Sequence, residues 1–216
     1  MYLSIIDIIV NYFPLLIKGL GVTLALSAIT VVGGAIIGFL VCLFTMSNSK
    51  ILKFLGKAYI EVIRGIPLFL QLYIFYILLS NEISSFVAIA IALIVNSGAY
   101  VAEIIRAGIQ SIDKGQYEAS RSLGMSKRKT MIKVILPQSI KNIIPAIGNE
   151  YVTIIKETSL GSAFFIGDLM TVQKQIGNDS YDFLGAYIVV AIFYFISTFS
   201  LSKIISRIER AYKKND

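Results

Sequence analysis

Glu150 lies within a largely apolar stretch at residues 140–155, and no Lys or Arg stands three or four positions from it. An ionisable side chain in such a stretch either serves a ligand or finds a partner on a neighbouring helix. Asn149 and Thr153 accompany it, and Asn96 sits in another apolar run. These groups can hydrogen-bond a polar solute. They can equally join helices to one another, the commoner use of such side chains in bundles. Asp182 opens a further apolar run and is a second acidic candidate. A carboxylate taken out of water attracts a cationic solute strongly and disfavours an acidic one.

Lys156 and Ser159 suggest different chemistry. At helical i, i+3 spacing an amine can activate a hydroxyl, as in a Ser–Lys hydrolase working inside a bilayer. Lys156 and Glu157 also stand near the end of their stretch, where long side chains reach an aqueous interface. Histidine is absent, which removes the HExxH zinc site, histidine-ligated haem and an imidazole base. Cys42 is the sole cysteine, so neither a disulfide nor a thiolate metal cluster is available. No G-x-x-x-x-G-K-[ST] stretch occurs, so the chain is not itself an ATP-hydrolysing enzyme.

The elements that hold these residues are apolar helices. The chain is 56% hydrophobic and 15% charged, with a mean hydropathy of +0.76. Soluble domains average about 25% charged residues, so this composition belongs to the membrane class. A spanning helix needs about 20 mostly apolar residues. Five stretches qualify: residues 14–46, 59–79, 86–109, 140–155 with its flanks, and 183–205. No alternating strand pattern appears, which predicts an all-α integral membrane protein, a single domain over 1–216. Gly34-x-x-x-Gly38 permits close helix approach in the first span. The N-terminus carries Asp7 and no early positive charge, unlike a cleaved signal peptide.

Charge sets the expected topology. Most Lys and Arg residues fall in the connections at 46–64 and 106–133 and in the tail at 203–216, all on one side. The opposite connections hold Asp7, Glu82, Glu157, Asp168, Asp179 and Asp182 against Lys174 alone. Positive charge stays inside, so the N-terminus is expected outside and the C-terminus in the cytoplasm. This asymmetry accounts for the net charge of +7 without nucleic acid. Residues 159–177 read as an amphipathic or re-entrant helix at the outer mouth, or as ordinary outer packing. Glu103 and Arg106, three residues apart, are expected to pair near the inner interface.

The connection at 110–136 is the most polar part of the chain. No breaker interrupts residues 115–122, Gly124 stands where a left-handed helix end is wanted, and Ser126 can cap a second helix. Pro137 suits a bend where the chain enters the bilayer. Such an insert can lie on anionic headgroups or dock into a groove of a cytoplasmic partner.

Glu118-Ala119-Ser120-x-x-x-Gly124, followed by Val134-x-Leu136-Pro137, resembles the EAA loop of ATP-binding-cassette importer permeases. Ser120 replaces the usual second alanine, and Val134 the usual isoleucine. Arg64-Gly65-Ile66-Pro67 with Gln71, the run SGAYVAEIIRAGIQSI, and Lys156-Glu157-Thr158-Ser159-Leu160 are similar to the polar amino acid branch, so residues 19–160 take part. The resemblance implies a type I importer permease of a bacterial inner membrane. Glu118, Ala119, Ser120, Arg121, Gly124, Met125 and Ser126 would then form a coupling helix seated on an ATPase. It also implies two ATP-binding subunits carrying ATP and Mg, a second permease subunit and an extracytoplasmic solute-binding protein. A homodimer is the expected pairing, although a similar second permease fits the sequence equally. The chain itself would need no cofactor and would carry a polar amino acid. The acidic residues point to arginine, lysine or histidine, while glutamine and related solutes stay open. An anchor that docks an ATPase without moving solute would share the loop but would not need Glu150.

Overall fold

The computed structural model describes residues 4–213, so Lys214 of the basic tail lies outside the described residues. The elements are α1 (Ile5–Thr45), α2 (Lys50–Gly65), α3 (Leu68–Leu79), α4 (Ser85–Gln110), α5 (Lys114–Ser122), α6 (Lys127–Thr130), α7 (Leu136–Glu157), α8 (Leu169–Ser180) and α9 (Phe183–Lys213). A π-helical segment, Met131–Ile135, joins α6 to α7, and a 3-10 segment, Thr158–Phe164, follows α7. No strand occurs among the described residues.

Helix α1 starts earlier than the expected span at 14–46, because Ser4 and Asp7 form a capping box that begins the helix ahead of Pro14. Helices α1, α4 and α9 are long and apolar enough to cross a membrane. The span expected at 59–79 is not one helix: α2 and α3 meet at a bend of 104°. Ile66 is extended, at φ −103° and ψ 132°, and Pro67 follows it. Proline disfavours the helical conformation in the residue before it and has no N–H to continue the ladder. The connection expected at 46–64 is likewise mostly α2, which Ser49 caps by accepting the Leu52 amide. Helix α7 covers the remaining span but, with Lys141, Glu150, Lys156 and Glu157, is too polar to qualify on composition.

Glycine decides how the bundle closes. Helices α1 and α4 run parallel, with Gly33 against Ile94, Gly34 against Ser97 and Gly38 against Val101. A Cβ at Gly34 would lie 2.5 Å from Ser97 Oγ, and one at Gly38 would lie 2.7 Å from Val101 Cβ. The Gly34-x-x-x-Gly38 spacing is therefore the α1–α4 contact. Further out, Gly19 lets Val172 of α8 approach α1. There Ile8, Leu16, Leu169, Val172, Ile176 and Val189 bury one another, so one face of α8 is ordinary core. The Leu169 amide donates to Thr23 Oγ1 at 3.1 Å, tying the start of α8 to α1.

Gly38→Val should separate α1 from α4 and destabilise the purified protein by about 1–3 kcal/mol, the usual cost of overpacking. Thermal unfolding in detergent measures this; an unchanged midpoint would show that the two helices do not depend on close approach.

Candidate functional site

Helix α7 is amphipathic along its length. Ser139, Ile143, Ile154 and Ile155 are buried, Ile143 filling the space that Gly108 of α4 leaves open. Helix α9 closes on another side, with Ile205 against Gly148. Asn142, Asn149 and Lys156 are exposed, while Glu150, Thr153 and Glu157 are half-buried. Glu150, Thr153 and Glu157 follow i, i+3, i+7 spacing and share a stripe. No hydrogen bond or ion pair reaches the carboxylates of Glu150 or Glu157 among the described residues. Thr153 donates its hydroxyl to the Asn149 carbonyl at 3.3 Å. The result is a helix with an open polar face carrying two half-buried carboxylates that have no hydrogen bond or ion pair among the described residues. Glu157 was set aside in the sequence as an interface residue; its i+7 relation to Glu150 is the signal that groups them.

Asn96 is buried on α4, where its Nδ2 donates to Gln71 Oε1 at 3.1 Å. Gln71 Nε2 in turn donates to the carbonyls of Ile63, at 2.7 Å, and Ile66, at 2.8 Å. These are main-chain acceptors freed by the break at Pro67. The amide of Asn96 thus joins helices through Gln71 and steadies the bend. Below it, Glu103 accepts from Nε and Nη2 of Arg106, both at 2.8 Å, and Arg64 Nη1 lies 3.5 Å away. The expected Glu103–Arg106 pair is present, and Arg64 joins it from across the bend.

Asp182 is buried at the start of α9, where its Oδ1 accepts the Gly185 amide at 2.9 Å. It acts there as a helix cap and does not share the α7 face. The Ser159 hydroxyl donates to the Lys156 carbonyl at 2.6 Å, so its proton is held by the main chain and not by the lysine amine. The Ser–Lys arrangement expected of a hydrolase is not formed.

The polar connection folds as its sequence implies. Asp113 caps α5 by accepting the Gly115 amide at 2.6 Å. At the far end Gly124 adopts φ +79°, its amide donates to the Arg121 carbonyl at 3.0 Å, and the Met125 amide donates to Ser120 at 3.2 Å. This paired pattern is a Schellman motif, for which glycine carries no steric penalty. Ser126 then caps α6 through the Lys129 amide at 3.3 Å. Arg121 reinforces the turn by donating to the Met125 carbonyl. Ser120 is buried, with its hydroxyl on the Gln116 carbonyl. Glu118 and Ala119 are exposed, and Leu123 at the tip is 83% exposed. So Ser120, Arg121, Gly124 and Ser126 build the turn, Met125 is half-buried, and Glu118, Ala119 and Leu123 face outward. Leu123 is thus a large apolar side chain left exposed at an otherwise polar tip, beside the residues expected to form the coupling helix. Beyond Thr130 the Leu136 amide reaches back five residues to Met131, so the backbone absorbs an extra residue just before Pro137.

The chain is similar to known proteins over almost its whole length. A family model described as "Binding-protein-dependent transport system inner membrane component" matches residues 30–214. The arginine transport system permease protein ArtQ of Bacillus subtilis (strain 168) is 39% identical over 207 residues, 94% of each chain. The probable glutamine ABC transporter permease protein GlnM of the same organism is 36% identical over 213 residues, 97% of this chain and 99% of GlnM. A crystal structure of an amino acid ABC transporter with histidines superposes with a TM-score of 0.93 at 42% identity, covering 98% of this chain and 100% of that one.

Gln71→Leu should leave the Ile63 and Ile66 carbonyls and the Asn96 amide without their partner, costing about 1–3 kcal/mol. A lowered thermal midpoint of the purified protein is expected. An unaltered midpoint would mean that water or a rearranged Asn96 satisfies these groups.

Proposed function

The chain belongs to the binding-protein-dependent transport system inner membrane components and is a permease subunit of an ATP-binding-cassette amino acid importer; from that premise we propose that its cargo is a basic amino acid. It is a multi-pass protein of the inner membrane, with the all-helical type I permease fold, and is not itself an enzyme. The observation that carries the choice of cargo is Glu150, half-buried on the open face of α7 with no cation beside it. A cationic side chain arriving from solution supplies the missing partner. Glu157, on the same stripe, extends the acidic surface, and Asn149 and Thr153 offer hydrogen bonds to the polar ends of the solute. The arginine permease among its relatives supports this reading, and the glutamine permease supplies the competing one.

The exposed surface of Glu118, Ala119 and Leu123 is the seat of a separate ATP-binding subunit. Two such subunits, holding ATP and Mg, would drive a pair of permeases, in our reading two copies of this chain, with a solute-binding protein on the outer side. That places the basic connections and the end of α9 in the cytoplasm and the start of α1 outside. The rigid turn at Gly124 lets the loop move as a unit with the helix beyond it.

Glu150→Gln should lower uptake of arginine and lysine at least about tenfold more than uptake of glutamine, because a desolvated charge partner is lost. Uptake into proteoliposomes holding the assembled complex measures the ratio; equal losses for both classes would make Glu150 structural. Gly124→Pro removes the amide that holds Arg121 and imposes a negative φ. Solute-stimulated ATP hydrolysis by the complex should fall severalfold, and retained stimulation would sink the coupling role.

A further inference from the structure

Helix α2 carries three stripes at 100° per residue. Gly56, Tyr59, Ile60 and Ile63 face the bundle: Ile60 packs with Val41 and Ala102, and the Tyr59 hydroxyl donates to the Val95 carbonyl at 2.5 Å. A second stripe of Ile51, Phe54, Leu55 and Val62 has no neighbour to cover it, and Ile51 and Phe54 are 71% and 69% exposed. The third stripe is charged: Lys50, Lys53, Lys57, Glu61 and Arg64. A groove of about 620 Å³ runs beside it, lined by Lys53, Lys57, Glu61, Arg64, Glu103 and Arg106 among others. Glu103 is taken up by the two arginines. Neither Lys53 nor Lys57 has a side-chain hydrogen bond or ion pair among the described residues, Glu61 included.

We propose that this groove binds the phosphate headgroup of an anionic phospholipid, whose acyl chains lie along the Ile51–Phe54–Leu55–Val62 stripe. It rests on the reading above only for the side of the membrane, the cytoplasmic leaflet, on which α2 lies. A lipid is the occupant because the two open stripes adjoin and ask for different things. The basic one attracts an anion, at about 1 kcal/mol per lysine near a membrane surface. The apolar one is removed from water only by hydrocarbon. A free phosphate or an acidic peptide would satisfy the lysines and leave Ile51 and Phe54 in water.

The test uses the permease assembled with its ATP-binding subunits in nanodiscs of phosphatidylcholine, with and without phosphatidylglycerol, and counts retained lipid by native mass spectrometry. Lys53→Gln/Lys57→Gln should weaken retention of phosphatidylglycerol about 30-fold. Phosphatidylcholine should be unaffected, and Lys53→Arg/Lys57→Arg should bind as the parent does. Lys203→Gln/Arg207→Gln, which removes equal charge elsewhere on the same side, should retain the lipid. Equal retention in the parent and the glutamine double variant overturns the proposal. Equal loss in the Lys203 and Arg207 control does so as well, because diffuse charge would then suffice, and so does loss in an arginine variant whose thermal midpoint is unchanged, because the same charge would then fail to hold the lipid. Inorganic phosphate that stabilises the lipid-free complex as strongly as phosphatidylglycerol would reassign the groove to a free anion. The readout does not pass through transport, so failure of the cargo assignment leaves it intact.

Discussion

A main-chain carbonyl shielded from water must be answered within the protein, and this chain breaks a helix between two apolar segments. The break at Ile66–Pro67 frees acceptors that a continuous helix would satisfy, and each such group costs several kcal/mol if left alone in hydrocarbon. Gln71 answers for two of them with one amide nitrogen, while its oxygen receives Asn96. The remaining architecture depends on that arrangement. It steadies the angle between α2 and α3, while α2 lies against the C-terminal parts of α1 and α4. It also brings Arg64 within reach of Glu103. Pro67 imposes the bend, and Gln71 with Asn96 holds its freed carbonyls in place beside the ion cluster.

The same economy of polar groups explains the contrast between α4 and α7. On α4 Asn96 is answered by Gln71, and Glu103 by Arg106 and Arg64. On α7 the half-buried carboxylates of Glu150 and Glu157 have no hydrogen bond or ion pair among the described residues. A polar stripe of that kind on a spanning element is stable only where it meets water, a solute or another subunit.

Much of this was legible in the residues, and what was not has a common cause. Spans, charge asymmetry and the turn at Gly124 depend on composition or on neighbours within five positions, so local rules sufficed. The capping roles of Asp113 and Ser126 belong with them. The bend was hidden because its support comes from Gln71 and Asn96, twenty-five positions apart. The residues at 46–64 read as a basic connection because three stripes of different character look like noise until they are wound on a helix. The π-helical turn just before Pro137 has no counterpart in the sequence-based expectations. Asn96 is the instructive intermediate case, since its residue type allowed a solute contact or a helix joint, and only the position of Gln71 shows the joint.

From Lys127 to Glu157 the chain is helical without a gap, through α6, the π-helical turn and α7. Such a run is a lever arm. Glu150 lies 23 positions beyond Lys127, roughly 35 Å at about 1.5 Å per residue, so a tilt of about 10° about the loop end carries it sideways by about 6 Å. That exceeds the reach of any hydrogen bond. For the solute contact proposed at Glu150, a small rotation at the loop would be amplified into the difference between holding and release, with the stiffness of one helix setting the gain.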